Sequence, residues 1–102
     1  MENNNSIILN AIIQRNEAKF IANKLGEEMV MMNMENGDFI TMNNVGADIW
    51  NLCEQPLFVK ELVQKLLGLY NISEDQCINE TIQFLQTSMD QNIFTIQNAH
   101  NV

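Results

Sequence analysis

The sequence predicts a single α+β domain in which strands come first and helices follow, in the order β-β-β-α-α-α. Short runs rich in Met, Ile, Val and Phe occupy residues 19–42 and are punctuated by Gly26 and by Asn36-Gly37. From Asn43 onward the apolar residues recur at helical spacing, and Pro56 and Ser73 divide that half into helices. A length of 102 residues accommodates one domain.

Taken in order, Met1 to Asn5 is polar and frays. The patch from Ile7 to Ile13 is apolar and admits an extra strand, a docking arm or a dimer contact. Lys19 to Leu25 is the first strand, stopped by Gly26. Glu28 to Met34 is more continuously apolar, as expected of a strand covered on both faces. Asn36-Gly37 supplies the positive-φ pair of a tight hairpin, and Asp38 to Met42 is the returning strand. Asn43 is a helix N-cap, followed by Val45, Ile49, Leu52 and Cys53 along a face beside Trp50. Gln55-Pro56 ends that helix. Val59, Leu62, Val63, Leu66, Leu67 and Tyr70 form the stripe of a second helix, with Gly68 weakening its last turn. Ser73 and Gln76 form a capping box for a third, where Glu74 and Asp75 sit at the favourable end of the dipole. Its apolar stripe is Ile78, Ile82, Leu85 and Met89, flanked by Cys77, Thr81 and Phe84. Asn92 suits a left-handed cap, and Ile93 to Ile96 folds back as an apolar tail.

Composition narrows the function. Thirteen Asp and Glu against five Lys and Arg give a net charge of −8. Nucleic-acid binders present a basic face, and the third helix, Glu74 to Met89, carries no Lys or Arg. Cys53, Cys77 and His100 offer no metal set, so the cysteines read as buried free thiols of a reducing cytoplasm. No signal peptide or membrane span is visible. No Ser-His-Asp set, Cys-His pair, P-loop or paired-carboxylate arrangement can be assembled, so the chain is expected to be no enzyme and to need no cofactor. Trp50 and the methionines at 29, 31, 32 and 34 read as core, while Phe39 and Phe84 divide evenly between core and ligand contact.

Met42-Asn43-Asn44-Val45-Gly46-Ala47-Asp48-Ile49-Trp50 resembles the Leu-Asn-x-x-Gly-x-x-Ile-Trp pattern of PqqD-like proteins, the precursor peptide recognition elements of ribosomally made natural products. Glu28 to Met32 followed by Glu35 to Phe39 is similar to the family's hairpin. Val59-Lys60-Glu61-Leu62 with Leu66 and Tyr70 resembles its second helix, and Glu80 to Leu85 its third. The resemblance runs from Lys19 to Phe94. Met42 replaces the usual leucine, a volume-conserving change. Phe58 stands where the family has a threonine cap, with Pro56 offered instead as a first helical residue. Glu80, Thr81 and Ser88 replace aspartate, valine and leucine on the third helix.

This resemblance implies a winged helix-turn-helix-like fold, a three-stranded antiparallel sheet followed by three helices. It divides the chain into an N-terminal arm over 1–17 whose order is left open, a peptide-binding domain over 18–97 and a flexible tail over 98–102. It further implies a cytoplasmic, non-catalytic adaptor that binds the leader of a precursor peptide by β-strand addition, in a groove closed by the third helix. Its expected partners are the leader and a modifying enzyme such as a radical SAM enzyme or a leader protease, in PQQ or lasso-peptide synthesis. Neither nucleic acid nor membrane is expected as a partner, and homodimerisation is left open. The expected contact residues are Asp38, Phe39, Ile40, Thr41, Met42, Cys77, Glu80, Thr81 and Phe84. If 38–42 lies at the sheet edge, as the resemblance implies, no Lys or Pro within Phe39 to Met42 guards that margin against strand addition. The alternatives are a winged-helix DNA-binding regulator and a scaffold subunit of an enzyme complex.

Overall fold

The computed structural model describes residues 8–26 and 28–98. Strands β1 (Ala11–Arg15), β2 (Phe20–Leu25), β3 (Glu28–Asn33) and β4 (Phe39–Met42) lead into helix α1 (Asn44–Leu52). A short strand β5 (Leu57–Phe58), helices α2 (Val59–Leu69) and α3 (Glu74–Met89), and strand β6 (Phe94–Asn98) complete the chain. The predicted α+β order is present, and the winged-helix outline is approximate because a second sheet accompanies the first. The strands form two antiparallel three-stranded sheets, β2-β3-β4 and β5-β1-β6.

The helix boundaries follow their local chemistry. Asn43 caps α1 by accepting from the Gly46 N–H at 2.8 Å. Ser73 caps α3 by accepting from the Gln76 N–H at 3.1 Å, but the Gln76 amide donates to Glu80 at 3.0 Å, so half of the expected capping box is made. Phe58 is the residue before α2, and Glu61 there accepts from the Phe58 N–H at 3.0 Å. Pro56 lies outside the helix, so the expectation that it opens α2 is overturned; the Glu61 carboxylate satisfies the terminal N–H instead. Asn92 adopts φ 62° after α3, as a left-handed cap requires.

Two further expectations change. Of Asn36 and Gly37 only Gly37 has positive φ, at 77°. The Gly37 N–H donates to the Asn33 carbonyl at 2.7 Å, and the Asn33 N–H to the Asp38 carbonyl at 2.8 Å. The hairpin therefore closes with a longer loop that needs one left-handed residue, not the tight pair. Strand β3 is covered on one face only: Met29 and Met31 are buried, while Val30 and Met32 are half-buried on the opposite side.

Of the patch at 7–13, Ala11 to Ile13 form a strand and Ile8 and Leu9 are helical, while Ile7 lies outside the described residues. β1 pairs with β6 from Ala11↔Asn98 to Arg15↔Phe94 and with β5 at Ile12↔Phe58 and Ile13↔Leu57. Part of the span read as an arm thus joins the core, and the apolar tail read at 93–96 becomes its partner strand. His100 and the other residues beyond 98 lie outside the described residues.

The core lies between the first sheet and the helices and continues under β1. Phe20, Met31, Ile49, Leu62, Leu66 and Leu85 are among its fully buried members. Phe94 on β6 meets Trp50 edge-on at 5.9 Å and Phe84 at 6.0 Å, joining α1 to α3. Asn16 donates through its side chain to the Asn92 carbonyl at 2.8 Å and through its N–H to Ile93 at 2.9 Å. These contacts fix the far end of α3 against the start of the chain. No described helix is long and apolar enough to cross a membrane.

Candidate functional site

Among the described residues β4 pairs with β3 alone, through Met32↔Phe39, Met31↔Ile40, Val30↔Thr41 and Met29↔Met42. Its other margin is an open sheet edge. The bond from Asn33 N–H to Asp38 carbonyl sets the phase of this ladder. Antiparallel pairs alternate between bonded and non-bonded, so Ile40 and Met42 turn their backbone groups toward β3 while Phe39 and Thr41 turn theirs outward.

Clefts open at both ends of the space between β4 and α3. One, of about 590 Å³, is lined by Asp38, Phe39 and Ile40 on the strand side and by Asp90, Gln91 and Asn92 beyond the end of α3. Lys19, Asn33, Glu35 and Asn36 complete it, and its walls are mostly polar. The other, of about 230 Å³, is apolar and is lined by Val45, Leu66, Tyr70, Ile72, Cys77, Glu80 and Thr81. The start of β4 therefore faces the end of α3, and the chain just past β4 faces the start of α3. Between them Gly46 leaves room that a Cβ would take from Met42 Sδ and Phe84 Cε1, both at 3.2 Å. The absence of a side chain there lets α1, β4 and α3 meet closely.

The expected contact residues divide among these places. Asp38, Phe39 and Ile40 line the polar cleft, and Cys77, Glu80 and Thr81 the apolar one. Phe84 is half-buried and shared between Gly46 and Phe94. Met42 is only 5% exposed, so its side chain belongs to the core and only its backbone lies near the edge. Thr41 is exposed on the face opposite the core. Phe39 is 71% exposed, which removes it from the core. Sequence reasoning missed Val45, Ile72 and the Asp90–Asn92 turn. Ile72 was findable: it precedes the Ser73 cap and Cys77 stands in the first turns of α3, the spacing of a hydrophobic staple.

The thiols are buried and free. Burial pushes Cys53 up to about 12, against a smaller opposing pull from Arg15, and burial likewise raises Cys77. Cys77 contacts the Val63 carbonyl at 3.8 Å and Thr81 Oγ1 at 4.0 Å, so it serves as apolar wall with a weak donor. At the mouth of the same cleft Tyr70 donates to Asp48 at 2.5 Å, tying α2 to α1. That bond raises the Tyr70 phenol to about 12, with burial and the Asp48 charge adding to it.

Tyr70→Phe keeps the ring and deletes the bond, and should cost about 1 kcal/mol at neutral pH, the low end for a charged acceptor because the group is partly solvated. The phenol is raised in the folded state, so its contribution is complete below pH 10 and is lost as pH rises through about 12. Denaturant melts of the two proteins should accordingly differ at pH 7 and converge toward pH 12.

No curated protein matches the chain significantly in sequence. A solved structure, TbiB1 in complex with the TbiA(beta) leader peptide, aligns with TM-score 0.71 over 79% of this chain and 93% of that one. At 17% identity that likeness is one of fold. The family profile described as coenzyme PQQ synthesis protein D matches residues 28–93, which include the β3–β4 hairpin, all of α1 to α3 and both groove walls. On that span, well over half of its length, the chain belongs to the PqqD family.

Proposed function

We propose that this protein is a non-catalytic adaptor that binds the leader of a ribosomally made precursor peptide and presents it to modifying enzymes. The observation that carries the reading is the open margin of β4 set opposite α3, with a cleft at each end. An extended leader added beside β4 would pair with the outward groups of Phe39 and Thr41, about four backbone hydrogen bonds in all. Asp38 and Ile40 would meet one end of it and Cys77, Glu80 and Thr81 the other, with Phe84 between. Family membership and the fold shared with a leader-bound relative support the same reading.

Magnitudes shape the ligand. Micromolar affinity requires about 8 kcal/mol, and ordering a disordered segment adds about 2–5 kcal/mol to what the contacts must supply. Four backbone bonds contribute about 4 kcal/mol net. Apolar anchors at about 2–3 kcal/mol each must supply the remainder of about 6–9 kcal/mol, so about two to four are needed. The 230 Å³ cleft is the apolar receptacle best placed for one of them. A DNA-binding role finds no support in α3, whose charged residues are Glu74, Asp75 and Glu80.

The test is a titration of the labelled chain with a synthetic leader from the precursor encoded beside its gene. Amide shifts are expected to concentrate in Asp38–Met42 and the first half of α3, at micromolar or tighter affinity. Shifts confined to other surfaces would defeat the reading, and binding to the partner enzymes regardless of precursor would favour a scaffold.

A further inference from the structure

The first sheet has a face that no described element covers. Strand alternation and register place Ile21, Met32 and Phe39 in one cross-strand row on the side away from the core, with Leu25 and Val30 beside them. Ile21 is 46% exposed, Leu25 63% and Phe39 71%, and together with Val30 and Met32 they line a shallow hollow of about 330 Å³. Single exposed apolar residues are ordinary, but a contiguous patch on a small domain marks a contact surface. The central strand β3 carries apolar residues toward both faces, which suits a sheet covered on both sides.

We propose that this face docks the modifying enzyme, through a surface that is apolar at its centre and cationic at its rim. The inference rests on the leader-binding reading above. Charge selects the partner over a second copy. The rim of the patch carries Glu28, paired across from Leu25, and Glu35 and Asp38 in the hairpin beside Phe39. Its cations are Lys24 and Lys19, and Lys19 and Glu35 offset one another at 3.4 Å, which leaves Glu28 and Asp38 against Lys24. With a net charge of −8 on each chain, two copies repel, whereas a basic rim is attracted and steered. Position points the same way. Phe39 gives its side chain to this face and its backbone to the β4 margin, so the two surfaces are continuous. A leader strand laid on β4 would add alternate side chains to the same face. The enzyme would then touch domain and leader together and be held next to the peptide it modifies.

The test uses Ile21→Glu and Leu25→Glu, alone and combined, in the full chain. Both residues lie on β2, separated from the leader margin by β3. Binding is measured to a synthetic leader from the precursor encoded beside the gene, and to the enzyme encoded there with and without that leader. Leader affinity should stay within about twofold, while enzyme affinity in the leader's presence should fall by about 10-fold or more in the double variant. Glu28→Lys, which leaves every apolar residue in place, should weaken enzyme binding several-fold and more so at low salt. Unchanged enzyme binding in the double variant and in Glu28→Lys overturns the proposal. So does micromolar self-association of the parent chain that the double variant abolishes, since a second copy would then own the face. A parent chain that binds no leader defeats the leader reading instead; enzyme capture without leader, lost in the double variant, would still support the docking face.

Discussion

Thr41→Pro is expected to leave the domain folded and to weaken leader binding by about 30-fold or more, roughly 2 kcal/mol. The expectation follows from the phase of the β3–β4 ladder. The Thr41 N–H points away from β3, so proline removes no bond of the native sheet, and edge strands tolerate it for that reason. Ile40, its neighbour, is half-buried and already extended, as a residue before proline must be. The melting temperature should therefore fall by less than about 10 °C. The incoming strand, by contrast, loses a donor worth about 1 kcal/mol and meets a ring where its backbone would lie. Ile40→Pro is the control, since its N–H is turned toward β3 and its loss should unfold the hairpin. Fluorescence anisotropy with a labelled leader, alongside thermal melts of both variants, reads the two effects separately. Leader binding by Thr41→Pro at parental affinity would show that the β4 margin is not where the peptide adds.

The parts of this architecture legible in the sequence are those governed by neighbours a few residues away. Asn43 and Ser73 announce their helices because each side chain caps a backbone N–H within its own first turn. Asn92 announces a left-handed turn for an equally local reason, whereas α1 ends at Leu52, short of the Pro56 expected to stop it. The second sheet was not legible in this way. β1 reads as an apolar patch, and its ladder partner β6 lies at the other end of the chain: Thr95 donates to the Gln14 carbonyl across 81 residues. Nothing in either segment names the other. The hairpin loop fell between these cases, since Asn-Gly marked a turn but the wider closure needed positive φ at Gly37 alone. The site divides likewise. Strand 38–42 lacks guarding residues, which sequence can show, but its place at the edge is a property of the whole sheet. The apolar cleft joins Val45, Leu66, Ile72 and Thr81 from different elements, and only tertiary packing assembles it.

The strand that sequence alone left ambiguous makes the sharpest stability prediction. Ile13 is fully buried at the centre of the second sheet, paired with Leu57 on one side and Ile96 on the other. Ile13→Ala should cost about 2–4 kcal/mol, from lost transfer energy and the cavity left behind. A domain of this size is stable by about 5–15 kcal/mol, so the loss is a large fraction and should lower the melting temperature by about 15 °C. Ile12, the next residue, is half-buried on the opposite side of the strand, and Ile12→Ala should cost about 1 kcal/mol or less. This alternation distinguishes a core strand from an arm, in which both substitutions would be near neutral. The consequence reaches the groove, because β6 carries Phe94 against Phe84, and Asn16, just past β1, holds the turn at Asn92. Loosening the second sheet frees the end of α3 that forms one wall of the polar cleft. Denaturant melts of the two alanine variants that superimpose on the parent would show that β1 does not support the core.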